Sequence, residues 1–154
     1  LSNHHLHRIP ALWQTFSEWA DMDGAAADRV IDTARALASA LASERVSVVA
    51  PHLGYTASHT ILIEAKPFGP AKALAAELEE ANIVLGACRL PGRLGPDGLR
   101  LGTQEMVRRG LAMNDVEEMA AVIAGLLRRE MDTGTARNRV TALALAMAQR
   151  RQMR

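Results

Sequence analysis

Two hydrophobic periods alternate along this 154-residue chain, and together they leave few folds open. Val30, Ala34, Leu37 and Leu41 recur at helical spacing, with Asp28, Arg29, Asp32 and Arg35 largely off that stripe. Residues 60–64 form instead a short β-branched run, the mark of a strand. The same contrast repeats downstream. Residues 46–50, 83–85 and 99–101 read as further short strands, and 86–98, rich in glycine and proline, as a loop. Residues 69–80 read as a helix burying Leu74, Leu78 and Ala81. Asn114, with Glu117 three residues on, opens a helix in capping-box fashion, with Met119, Val122, Ile123, Leu126 and Leu127 turned inward. The fold class that follows is α+β: a small, mostly antiparallel sheet with helices on one face. A long interrupted helix precedes it and a C-terminal helix closes it.

That pattern divides the chain into three parts: a long helix over 1–44, a small α+β domain over 45–131, and a basic amphipathic helix over 132–154. Pro10 is expected in the first turn of the opening helix or at a kink, because it lacks a backbone donor, and Gly24 at a bend. Trp13, Phe16 and Trp19 stand three apart, so they share a face and are expected to bury against a neighbour. Without that neighbour they form an exposed patch or an oligomer interface. From Arg128 onward seven arginines face two acids, Glu130 and Asp132, while Val140, Leu143, Ala144 and Met147 recur at helical spacing. Such a helix packs on its own protein or a partner.

Composition removes several classes of function. The formal net charge is +1, so no global field points to nucleic acid. No apolar run approaches a membrane span and no cleavable signal is visible. One cysteine, Cys88, rules out an internal disulfide and fits a reducing compartment, and a cytoplasmic location is the expectation. As a nucleophile Cys88 would need a base nearby, and only Arg89 stands beside it, so a small, partly buried thiol is expected. His4, His5 and His7 have no carboxylate or cysteine at supporting spacing, so no metal site is assigned.

Chemistry concentrates in Leu99-Arg100-Leu101-Gly102-Thr103-Gln104-Glu105-Met106-Val107-Arg108-Arg109-Gly110. Arg100 faces away from Leu99 and Leu101, because strand side chains alternate. Gly102 allows a turn or a close approach. A guanidinium held this way is a planar fork suited to a carboxylate. The alternative is an edge-strand arginine reaching water.

The Arg-Leu-Gly-Thr run and its Arg-Arg-Gly sequel resemble the carboxylate-binding segment of serine (glycine) hydroxymethyltransferases, fold-type I pyridoxal-phosphate enzymes. Ser2-Asn3-His4-His5 through Leu12 is similar to the entry of the long helix before that family's small domain. Ala57-Ser58-His59-Thr60-Ile61-Leu62-Ile63 resembles its Asp-Asn-His strand, and Ala81-Asn82-Ile83 a helix end. The likeness runs from residue 1 to about 130. It implies that Arg100 holds the α-carboxylate of a small amino acid of the glycine, serine or threonine type. It also implies that pyridoxal 5'-phosphate, the electron sink for the reaction, is held by a large domain that supplies the Schiff-base lysine.

The resemblance carries further implications. Ser2 and Asn3 stand where the family has a glycine pair that reaches a neighbouring subunit's phosphate, and His5 and His7 line that cofactor-side or interface region. The chain's two lysines, Lys66 and Lys72, fall outside the family's lysine motif and read as solvated. His59 occupies the family's histidine position and reads as a structural residue satisfied by backbone. Where the family carries an Asn-Lys-Asn turn and a Thr-Ser-Gly ending, this chain has Gly86-Ala87-Cys88 and Pro96-Asp97-Gly98, which puts folate use in question. An aldolase or transaldolase would keep Arg100 without folate. Because Leu1 falls in mid-motif, a fragment or one part of a divided enzyme is expected, inactive alone and with no catalytic residue of its own. Its partners would be a lysine-bearing large-domain polypeptide, a homo-oligomer, or both, with neither nucleic acid nor membrane. The alternative is a non-catalytic interaction or regulatory module derived from the same domain.

Overall fold

Alternation along two short strands decides what each face of the sheet meets. The computed structural model describes residues 5–20, 25–92 and 94–152, with backbone alone for Trp19, Arg151 and Gln152. Strands β1 (Thr60–Glu64), β2 (Gly86–Cys88) and β3 (Gly98–Gly102) form an antiparallel sheet in the order β1-β3-β2. Ile61 pairs with Leu101 and Ile63 with Leu99, and all four side chains are buried. Leu62 pairs with Arg100, so Thr60, Leu62, Glu64 and Arg100 share the opposite, outer face.

Helices cover the inner face. The helices in chain order are α1 (Ile9–Ala20), α2 (Ala25–Ser43), α3 (Ala71–Glu80), α4 (Gln104–Arg108), α5 (Val116–Leu127) and α6 (Thr133–Gln152), and α1 stands apart from that face. Helices α2 and α3 pack on the sheet, α5 packs on α2 and α3, and α6 lies against α5 and α3. The expected stripes are the buried ones: Leu37 and Leu41 on α2, Leu74 and Leu78 on α3, and Val122, Ile123, Leu126 and Leu127 on α5. The architecture is therefore the expected α+β layer. No helix among the described residues is long and apolar enough to cross a membrane.

Four helices end in the same way. After α2, Arg45 turns left-handed (φ 62°) and the Val46 N–H returns to the Leu41 carbonyl at 3.0 Å. Asn82, Arg129 and Gly110 repeat that reversal after α3, α5 and α4. Arginines then satisfy carbonyls at or just beyond the helix ends. Arg128 Nη1 donates to the Glu44 carbonyl at 2.9 Å, Arg137 Nε to that of Glu80 at 2.7 Å, and Arg150 Nε to that of Gly110 at 3.1 Å. Cations are favoured at helix C-termini, where the unpaired carbonyls gather. The basic segment thus works largely inside this molecule.

Several boundaries differ from expectation. Residues 46–50 do not form a strand: Val48 makes an isolated bridge to Ile63, and Ala50 turns left-handed (φ 61°), which ends the pairing. The strand expected at 83–85 lies at Gly86–Cys88, because the α3 terminus holds the Ile83 N–H on the Leu78 carbonyl at 2.9 Å. The expected loop over 86–98 accordingly opens as β2. The α5 start is not set by the Asn114 and Glu117 pair: a 3-10 turn over Met113–Asp115, closed by the Asp115 carboxylate accepting the Ala112 N–H at 2.9 Å, leads into α5 at Val116. The opening helix is two helices, α1 and α2; Pro10 lies in the first turn of α1, and Gly24 lies outside the described residues.

Candidate functional site

Backbone order comes first at Arg100. It sits in the middle of β3, the central strand, paired with Leu62 of β1 on one side and Gly86 of β2 on the other. The strand is therefore not an edge strand, although the side chain does reach water as the alternative had it. Its side chain is exposed on the outer face, and among the described residues it makes no hydrogen bond or ion pair. Glu64 shares that face but does not neutralise it. An unpaired guanidinium has all its donors available for a planar anion.

Three of the four strand neighbours of Arg100 on this face are glycines: Gly98 and Gly102 along β3, and Gly86 across on β2. Each absence of a side chain is used differently. The space over Gly98 is filled by Leu90, which is buried apart from the main core. A Cβ on Gly102 would stand 2.7 Å from Gln104 Oε1 and 3.7 Å from His59 Cδ2. Arg100 thus lies between an apolar end, Leu90, and a polar end, His59 with Gln104. Gln104 escaped the sequence reading, since nothing in its spacing marks it as sharing the face of Arg100.

Thr103 fixes the polar end. It is fully buried, its hydroxyl donates to the Val30 carbonyl at 3.0 Å, and its N–H donates to the His59 carbonyl at 3.1 Å. The Gly-Thr pair therefore ties β3 to both α2 and the start of β1. His59 differs from expectation: its carbonyl is satisfied, while its exposed ring makes no hydrogen bond among the described residues.

Other candidates lie apart. His5 and His7 are exposed at a turn before α1, their rings edge to face at 5.5 Å, and neither side chain hydrogen-bonds to the sheet. Ser2, Asn3 and His4 lie outside the described residues. Lys66 and Lys72 are exposed, and Cys88 is a half-buried free thiol. An open depression between β2 and the start of α3 is lined by Lys72, Cys88, Arg89 and Asp97, and Arg100 does not border it. Trp13 and Phe16 are 73% and 57% exposed, so no neighbour among the described residues covers that face of α1. The side chain of Trp19 lies outside the described residues.

A helix-backed, three-stranded antiparallel sheet of this kind matches part of a fold-type I pyridoxal-phosphate enzyme. The family model for serine hydroxymethyltransferase matches residues 3–123, and the chain belongs to that family. It is 42% identical over 140 residues to the serine hydroxymethyltransferase of Pyrobaculum arsenaticum, covering 89% of this chain and 33% of that protein. The enzyme of the same name from Aeropyrum pernix is 39% identical over 132 residues, covering 82% of this chain and 30% of its own. A solved L-threonine transaldolase from Pseudomonas fluorescens superposes with a TM-score of 0.85 at 27% identity, over 95% of this chain and 33% of that one. The chain spans about a third of the length of the curated relatives it matches.

Proposed function

We infer that this chain is the substrate-carboxylate portion of a pyridoxal-phosphate enzyme acting on a small amino acid of the glycine, serine or threonine type. One observation carries that assignment: an unpaired guanidinium stands at the centre of an open sheet face in a member of the serine hydroxymethyltransferase family. Relatives named for serine hydroxymethyl transfer and for threonine transaldol transfer both fit the assignment. Folate remains the point on which those two chemistries part.

The described residues do not themselves fit the cofactor. Neither exposed lysine lies at a strand position on the face of Arg100: Lys66 follows β1 in a turn, and Lys72 is in the first turn of α3. The anchoring lysine is therefore assigned to a portion of the enzyme outside these residues, whether on the same polypeptide or a separate one. In that arrangement residues 1–44 form the link to it, and no proton or bond is moved by this chain. Arg100 binds and orients. A charge-assisted pair of this kind contributes about 1.5–3 kcal/mol, or roughly 10- to 150-fold in affinity.

Reconstitution with a lysine-bearing partner portion, followed by glycine titration against cofactor absorbance, tests the assignment. Arg100→Ala is expected to weaken glycine by about that factor, and unchanged affinity overturns the role. A non-catalytic interaction module is favoured by one observation of its own, the uncovered apolar face of α1. A stable complex indifferent to pyridoxal phosphate and to glycine is its expected signature.

A further inference from the structure

A glycine inside a strand weakens it, through backbone entropy and the loss of a side chain to pack. Such a residue therefore has a reason to be there, either a left-handed backbone or a close neighbour. At Gly86 the first reason fails, because its φ lies outside the left-handed range that favours glycine. The second holds. Apart from its chain neighbours, the one described heavy atom within 4 Å of the point where a Cβ would stand is Arg100 Nη2, at 3.8 Å. Gly86 is also the register partner of Arg100 across the β2–β3 ladder.

Those two facts describe a side chain that does not stand straight out into water. The arginine leans across its own ladder and lays the end of its fork over the bare backbone of the next strand. Directly opposed strand residues have Cβ atoms about 4.5–5.5 Å apart, so a long side chain bending that way needs an empty partner position. Arg100 has no ion pair or hydrogen bond among the described residues to hold its direction. Shape alone is left to do so.

We propose that Gly86 is a positioning residue for the carboxylate-binding fork: its missing side chain is the seat on which the Arg100 guanidinium lies. This rests on the carboxylate role assigned to Arg100 above. A single methyl at 86 falls at ordinary van der Waals distance and leaves the seat usable. A β-branched residue carries its methyls further out and pushes the fork away, although such residues suit strands better than glycine does.

Two measurements test it. In the 154-residue chain labelled with 15N-arginine, the Nε–Hε resonance of Arg100, assigned by its loss in R100A, is expected to keep its position in G86A and to shift in G86V. An unmoved resonance in G86V overturns the proposal. In the reconstituted, cofactor-loaded protein, G86V is expected to weaken glycine by about tenfold, and G86V combined with R100A no further than R100A alone. A full extra loss in the double variant means that Gly86 acts without Arg100, which also overturns the proposal. Should R100A bind glycine like the wild type, the carboxylate role falls while the resonance still decides what Gly86 does.

Discussion

Thr103 and Arg100 belong to one short motif yet do opposite work. Thr103 is buried and doubly used, its hydroxyl on Val30 and its N–H on His59, while Arg100 is exposed and unused. Thr103→Val keeps the shape and removes the hydroxyl, so it is expected to cost about 1 kcal/mol in urea denaturation without altering the sheet. The alternation that placed Arg100 on its own face was legible from residues 99–101 alone. Its central position was not, because strand order depends on contacts between segments far apart in the chain. The role of Gly86 was hidden for the same reason: register, and not sequence proximity, sets it opposite Arg100.

Helix stripes were legible because a repeat over many residues averages out local accidents, and the predicted stripes on α2, α3 and α5 are buried apart from half-buried Val30 at the start of the first. Strand limits were harder to read, since three to five residues carry little pattern and the preceding helix cap can displace them, as it does after α3. Those caps make their own prediction. Arg45 holds a left-handed backbone (φ 62°) that suits glycine, so Arg45→Gly is expected to raise stability by about 0.5–1 kcal/mol by thermal denaturation.

Two of the contacts that hold helix α6 involve carboxylates shifted from their ordinary range. Arg139 grips both oxygens of Glu118 at 2.6 and 2.7 Å and holds that carboxyl below its usual range, chiefly through this hydrogen bonding. Asp132 accepts the Thr135 hydroxyl at 2.6 Å and its N–H at 2.9 Å, which lowers that carboxyl too. Depressed carboxylates stabilise above their unfolded pKa and lose that contribution as pH falls through the folded value. Both groups are well solvated, so each effect is small. Protection of the α6 amides, relative to their intrinsic exchange at each pH, is expected to fall slightly on acidification through and below the ordinary carboxylate range. In E118Q combined with D132N that protection should already be slightly reduced at neutral pH and respond less to acid.

At the scale of the whole molecule, the helix-covered sheet is well packed and α1 is not. Arg108 reaches Glu18 at 3.5 Å, but Leu6, Ile9, Leu12, Trp13 and Phe16 remain exposed. The spacing of Trp13 and Phe16 announced a shared face, though not what would cover it. Under the proposed function, that face is where the lysine-bearing portion would pack. Trp13→Ser with Phe16→Ser is expected to abolish co-purification with the lysine-bearing portion while leaving the melting temperature of this chain within a few degrees.

The ladder on both flanks of Arg100 has one more consequence. Arg100 is paired with Gly86 on one side and its chain neighbours Leu99 and Leu101 with Ile63 and Ile61 on the other, so its main chain cannot slide to meet a differently shaped visitor; only its side-chain torsions can adapt. On the carboxylate role proposed for Arg100, changes in which amino acid is accepted would therefore arise by edits in the short connections bordering this surface, with the anchor itself kept in place.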